Sequence, residues 1–179
     1  MSLLWIFAFL IFERLFELLL SSRNAQALAA RNAREFHPES FRPMAALHSL
    51  FLLALLWESY PWRITLDPFS LPVLGLLALL QGCRYWCIAS LGENWNTRII
   101  LVPGGAVKRS GPYRLLRHPN YLVVTLEFLL LPLLMHSPYT LAVFFPANLL
   151  VLRQRIRLEE QALREFTDYG ERFPLKGMP

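Results

Sequence analysis

The sequence predicts an all-α integral membrane protein of about five transmembrane helices, the last two forming a tight helical hairpin, with cytosolic loops and a tail at one end. Three observations carry this. Of 179 residues, 55% are hydrophobic and only 17% charged, and the mean hydropathy is +0.36, outside the balance of a soluble domain. Apolar runs recur at membrane-crossing length. Basic residues are segregated to one side of those runs.

The first run, 1–20, lacks a basic leader and a small-residue cleavage site and carries Glu13, Arg14 and Glu17, so it is expected to remain in the mature chain rather than act as a signal peptide. Further spans are expected near 44–60 and 69–90. Two shorter ones, 119–136 and 138–152, are separated only by His136-Ser137-Pro138 and interrupted by Pro132 and Pro146. A connection that short makes them antiparallel neighbours. The whole chain, 1–179, reads as a single domain. Cys83 and Cys87 sit inside an apolar run at neither disulfide-framework nor Cys-x-x-Cys spacing and read as small packing residues.

Fifteen of the 18 basic residues fall in three segments: the loop 21–43, the loop 91–118 and the tail 153–179. Arg63 alone lies on the other side, and Arg14 and Arg84 lie within spans. Because short loops rich in Lys and Arg stay cytosolic, this orients the chain with its N-terminus outside and its C-terminus inside. The net charge of +5 is accounted for by that topology and by attraction to anionic lipid head groups, not by nucleic acid. Loops and tail share one face, so a water-soluble cofactor is met there, while a lipophilic substrate arrives sideways from the bilayer.

The loop 91–118 is too long to be a plain connector. It holds Leu91-Gly92-Glu93-Asn94-Trp95, the apolar Ile99-Ile100-Leu101-Val102, glycines 104, 105 and 111, and Gly111-Pro112-Tyr113. Its apolar and aromatic content argues against disorder, so it is expected to fold back as a lid. No Gly-x-Gly-x-x-Gly follows a strand, which leaves a Rossmann nucleotide site unsupported.

The loop ends in Arg117-His118-Pro119-Asn120-Tyr121. Proline suits the first helical turn, which puts His118 at the cap and His118, Tyr121 and Thr125 on one face. Taken alone, His118 is an interfacial histidine against lipid phosphate. Glu127, about nine residues into an apolar helix, costs roughly 2.5 to 3.5 kcal/mol on insertion scales and is by default functional or ion-paired. Where the last span leaves the membrane, Arg153-Gln154-Arg155-Ile156-Arg157-Leu158-Glu159-Glu160 places Arg155 four before Glu159 and Arg157 three before Glu160, so arginines are expected to brace both carboxylates. Glu159 and Glu160 could hold an ammonium, and Arg155 and Arg157 could fork onto a carboxylate or phosphate. For Glu13, Arg14 and Glu17 the plain reading is internal salt-bridging or pairing with Arg84.

These motifs together, Leu-Gly-x-x-Trp at 91–95, Gly-Pro-Tyr at 111–113, Arg-His-Pro-Asn-Tyr at 117–121 and Glu159-Glu160, resemble the isoprenylcysteine carboxyl methyltransferase family. The first half, with Glu-Arg-Leu-Phe-Glu-Leu at 13–18 and Ala-Leu-His-Ser-Leu-Phe at 46–51, looks like its shorter bacterial branch. The resemblance implies a membrane methyltransferase that takes S-adenosyl-L-methionine from the cytosol and a lipophilic or prenylated acceptor from the bilayer, with no metal. It puts His118, Pro119 and Tyr121 in the cofactor pocket, Gly92, Trp95 and Gly111 nearby, and Glu159 or Glu160 on the cofactor's amino group.

Eukaryotic members usually carry an aromatic residue where this chain has Glu127, and their Phe-Gly-x-x-Tyr-x-x-Tyr tail is altered here to Phe166-Thr167-Asp168-Tyr169-Gly170. Both departures point from a prenylated protein towards the hydroxyl or carboxyl of a small lipid, such as an aliphatic-tailed phenol, pyrone or quinone precursor. A carboxylate acceptor needs no base and would be oriented by Arg155 or Arg157. A phenol or enol needs one, for which Glu127 and His118 are the candidates. Two alternatives stand beside this reading: an NADPH-dependent reductase of sterol-reductase type, whose relatives share Arg-His-Pro-Asn-Tyr, and a non-catalytic membrane scaffold. Neither oligomeric state nor pathway is legible.

Overall fold

A computed structural model describes residues 3–62 and 67–173. Arg63 and Lys176, both used in the charge reading, and the first two residues of the predicted span 1–20 lie outside the described residues. In order, the chain forms α1 (Leu4–Ala29), β1 (Arg34–Phe36), α2 (Phe41–Glu58), α3 (Ser70–Leu91), β2 (Ile99–Leu101), α4 (Pro119–Leu134), α5 (Pro138–Phe166) and the short α6 (Tyr169–Arg172), with 3-10 turns at Pro38–Ser40, Gly92–Asn94 and Gly111–Arg114.

Among the described residues, two helical stretches, Pro38–Glu58 and Ser70–Asn94, are long and apolar enough to cross a membrane, and Pro119–Leu134 is a shorter apolar helix. The expected five crossings are thus met by two on length and composition. The physical reason for α1 is plain: its 26 residues span about 39 Å at 1.5 Å per residue, but Glu13, Arg14 and Glu17 interrupt it.

Those charges belong to a buried stripe. Leu3, Phe7, Leu10, Glu13, Glu17, Ser21, Asn24 and Leu28 are buried at three- and four-residue steps, while Trp5, Phe9, Phe12, Leu15 and Leu19 are exposed. Polar groups inward and large apolar groups outward is the reverse of a helix in water. It is the arrangement expected where the surroundings are hydrocarbon.

Helices α3, α4 and α5 pack in succession and α2 lies against α5. The core joins Leu3 and the α1 residues Phe7 and Leu10 to Phe51 and Leu55, to Leu77, and to Val124, Phe128 and Leu131 of α4. Phe51 and Phe128 stack with centroids 4.0 Å apart. Three residues, Met135 to Ser137, connect α4 to α5, and His136 takes a φ of 52° to make the reversal. The carboxylate of Glu58, ending α2, accepts from the backbone N–H groups of Tyr139 and Thr140 at 2.9 and 2.6 Å. That caps the exposed start of α5. Pro132 and Pro146 sit within helices without ending them.

The expected lid is a built structure. Its β2 pairs antiparallel with β1, with Glu35 opposite Ile100. The backbone N–H of Gly104 donates to the carbonyl of Phe166 at 2.8 Å, and that of Val107 donates to the Asp168 carboxylate at 2.6 Å. Loop and tail are thereby tied over the same end of the bundle.

Candidate active site

A cavity of about 380 Å³ lies under the loop and the tail. Its wall includes Trp95, Asn96, His118, Asn120, Tyr121, Glu159 and Tyr169, the apolar Leu18, Met44, Leu52, Val124 and Leu152, and the charged Arg14, Glu17 and Arg84. The volume falls within the range of about 300 to 1,000 Å³ typical of small-molecule sites.

Proline at the first position of α4 fixes where that helix starts. The rings of His118 and Tyr121 consequently stack, with centroids 5.5 Å apart. Helix α5 returns alongside and continues past the hairpin for 29 residues, which brings Glu159 and Glu160 to the start of α4. Tyr121 donates its phenolic hydrogen to Glu159 Oε2 at 2.5 Å. His118 Nε2 lies 3.2 Å from Glu160 Oε1, and since a carboxylate only accepts, Nε2 carries the hydrogen. The hydroxyl of Tyr169 donates to the same oxygen at 2.9 Å.

The two adjacent carboxylates therefore differ. Glu160 is saturated by His118, Tyr169 and the nearby Arg117 and Arg164 and is not on the cavity wall. Burial opposes its charge, but hydrogen bonds from Tyr169 and His118, with the charge of Arg117, hold it below the usual carboxylate range. Burial, together with the bond to Glu160, pushes the Tyr169 hydroxyl up. Glu159 faces the cavity. Asn96 and Asn120 also line the cavity, and Asn96 Nδ2 and Asn120 Oδ1 are buried without a hydrogen-bond partner.

Several sequence expectations are corrected. Arg155 does not brace Glu159. It is buried, and its guanidinium donates to Ser40 Oγ at 2.5 Å, to the Thr97 carbonyl at 2.9 Å and to the Tyr121 hydroxyl at 3.4 Å. Its donors are spent behind Tyr121, off the cavity wall. Arg157 is exposed, and Arg117 and Arg164 take the place beside Glu160 expected for it. Spacing along a helix makes these pairs neighbours, but the inward face of α5 turns Arg155 towards the preceding loops and Arg157 away.

Glu127 does not face the larger cavity. It accepts from Arg84 and from Gln81 at 2.8 Å, and lies 3.5 Å from Arg14. Arg84 also reaches Glu17 at 2.9 Å, and Arg14 reaches Glu17 at 2.8 Å and Glu13 at 3.3 Å. Helices α1, α3 and α4 are knotted by this network. Internal salt-bridging was the plain reading of Glu13, Arg14 and Glu17; Glu127 belongs to the same knot.

Of the remaining candidates, Trp95 is buried on the wall, whereas Pro119, Gly92 and Gly111 are not on it. The two glycines shape the loop. Gly92 and Gly111 take φ of 56° and 54°, and a Cβ at 111 would strike the Ser90 side chain. Sequence reasoning missed Asn24, which donates to the carbonyls of Gly92 and Trp95, and Ser21, bonded to Asn96 and Thr97. Their signal was the heptad-like continuation of the α1 stripe into polar residues.

The sequence pattern of the isoprenylcysteine carboxyl methyltransferase family matches residues 73–165. Over 160 residues the chain is 36% identical to an uncharacterized protein of Bacillus subtilis, YpbQ, covering 89% of this chain and 95% of that one. It is also 28% identical over 158 residues to an uncharacterized protein of Haemophilus influenzae, covering 88% and 92%. No solved structure matches the chain. The family is one of membrane methyltransferases, and the pattern covers the cavity-forming α3, α4 and most of α5 together with the loop between them. The chain belongs to the isoprenylcysteine carboxyl methyltransferase family and is a membrane protein.

Proposed function

We propose that the protein is an S-adenosyl-L-methionine-dependent O-methyltransferase acting in the membrane on a lipophilic acceptor. The observation that carries this is Glu159: a carboxylate on the cavity wall, one oxygen bonded to Tyr121, beside the neighbouring Glu160 whose bonds are spent on the protein itself. A carboxylate so placed suits the cofactor's ammonium group. The fit is supported further by the polar lining residues Asn96 and Asn120 and by the stacked His118 and Tyr121 rings.

When bound, the cofactor supplies an electrophilic methyl group; the chain's own task is to align the acceptor oxygen with it and exclude water. The strap of Gly104, Val107, Phe166 and Asp168, which ties loop to tail, supports the second role. The apolar wall residues Leu18, Met44 and Leu52 suit an aliphatic tail.

In the same reading α1, α4 and α5 cross the bilayer with α2 and α3, the N-terminus lies outside and the loops and tail lie in the cytosol. The outward apolar face of α1 supports its crossing. The bacterial origin of the relatives supports the inner membrane as the location.

Calorimetry on the detergent-purified protein, followed by methylation of a lipid extract with labelled cofactor, tests the reading. Saturable S-adenosylmethionine binding and a labelled lipid are expected. Binding of NADPH in its place would point to a reductase, and binding of neither by a folded protein would leave a scaffold.

A further inference from the structure

Of the bases expected from the sequence, Glu127 is held in the ion-pair knot off the cavity wall, and His118 is committed to Glu160. His48 of α2 is on that wall. Its Nδ1 lies 2.9 Å from the backbone carbonyl of Met44. A carbonyl only accepts, so Nδ1 carries the hydrogen, and in the neutral ring Nε2 keeps a free lone pair. The ring is held edge-on to Phe128, centroids 5.0 Å apart, so its orientation is fixed from two sides. The charged groups that act on it are Arg14 from α1, Arg84 from α3 and Glu127 from α4.

We propose that His48 is the general base of the reaction, and hence that the acceptor presents an acidic hydroxyl, a phenol or enol, rather than a carboxylate. This rests on the methyltransferase reading of the cavity. In the step, the acceptor's O–H proton passes to His48 Nε2 as the oxygen lone pair forms the bond to the methyl carbon. The carbon–sulfur bond breaks with its electrons going to sulfur, leaving a neutral thioether and an imidazolium. The imidazolium returns its proton to water once product leaves. A second cavity of about 20 Å³ adjoins the ring and shares Arg14, His48 and Leu52 with the larger one. It has room for one water, which supplies a route for that proton.

The test uses the full chain in detergent, with S-adenosylmethionine and two acceptors, an alkylphenol and an alkylnitrophenol, the latter largely ionised at the working pH. His48→Asn keeps a donor for the Met44 carbonyl, and His48→Gln is the second variant. Both are expected to keep S-adenosylmethionine affinity within about twofold, to lose about 100-fold or more in kcat/KM on the alkylphenol, and to lose less than about fivefold on the nitrophenol. In the absence of the methyl donor, near the nitrophenol's midpoint, wild type is expected to raise the phenolate absorbance of bound nitrophenol and the variants are not. Equal losses on both acceptors, no loss on the phenol, or loss of S-adenosylmethionine binding in both variants would overturn the role of His48. Wild type that binds S-adenosylmethionine but methylates only carboxylates overturns this inference alone. Wild type that binds none overturns the methyltransferase reading and this inference with it.

Discussion

Tyr121 and Glu159, 38 positions apart, share a 2.5 Å hydrogen bond that joins the start of α4 to the C-terminal part of α5. The Tyr121 hydroxyl is also the acceptor for Arg155, so one phenol links the cavity carboxylate to the buried guanidinium that reaches Ser40 and Thr97. Removing that hydroxyl in Tyr121→Phe leaves Glu159 free to swing. S-adenosylmethionine affinity is expected to fall about tenfold, about 1.4 kcal/mol, by calorimetry.

Arg84 is the centre of the buried knot. Replacing it by Leu leaves Glu127 without its main partner and Glu17 with Arg14 alone, a loss of about 3 to 5 kcal/mol by the precedent of broken buried pairs. A large drop in the thermal midpoint in detergent is the expected readout. Arg157→Ala, at an exposed position, is expected to leave stability within about 0.5 kcal/mol and turnover unchanged.

Glu127→Gln separates structure from chemistry. Because Glu127 is spent on Arg84 and Gln81, the variant is expected to lower the thermal midpoint and to reduce turnover of the alkylphenol and the alkylnitrophenol by the same factor. A selective loss on the phenol would return Glu127 to the chemistry.

Closure of the tail is expected to be acid-sensitive. Glu160 is held below the ordinary carboxylate range by Tyr169, His118 and Arg117, and Asp168 is held low by the Val107 N–H and Arg172. A carboxylate whose folded value is depressed stabilises fully above its unfolded value, about 4.3 for Glu, and that contribution is lost as pH falls through the folded value. Limited proteolysis of the tail is therefore expected to rise on acidification below about pH 4. Glu160→Gln is expected to raise cleavage at neutral pH and to flatten that dependence, leaving the part due to Asp168.

The sequence carried the parts that depend on local rules. Pro119 after His118 marked the α4 start, three residues between α4 and α5 marked the hairpin, and the two together implied that Glu159 and Glu160 meet His118 and Tyr121. The parts that depend on which way a helix is turned were not legible. Arg155 sits four residues from Glu159, yet its side chain points to Ser40 and Thr97, because those loops come from elsewhere in the chain. Three-residue strands such as Arg34–Phe36 and Ile99–Leu101 are too short to show an alternating pattern. His48 was hidden for the same reason as Glu127's partners: an isolated polar residue in an apolar helix gains meaning only from the facing helices.

In the proposed reading Glu159, rather than Glu160, faces the bound methyl donor. Calorimetric titration of S-adenosylmethionine into detergent-purified wild type, Glu159→Gln and Glu160→Gln measures this directly. Saturable binding to wild type is expected, with about 100-fold weaker binding to Glu159→Gln from the loss of a charge-assisted bond and a smaller loss in Glu160→Gln. Folded wild type that binds none, or equal affinity for wild type and Glu159→Gln, would rule out this role of Glu159.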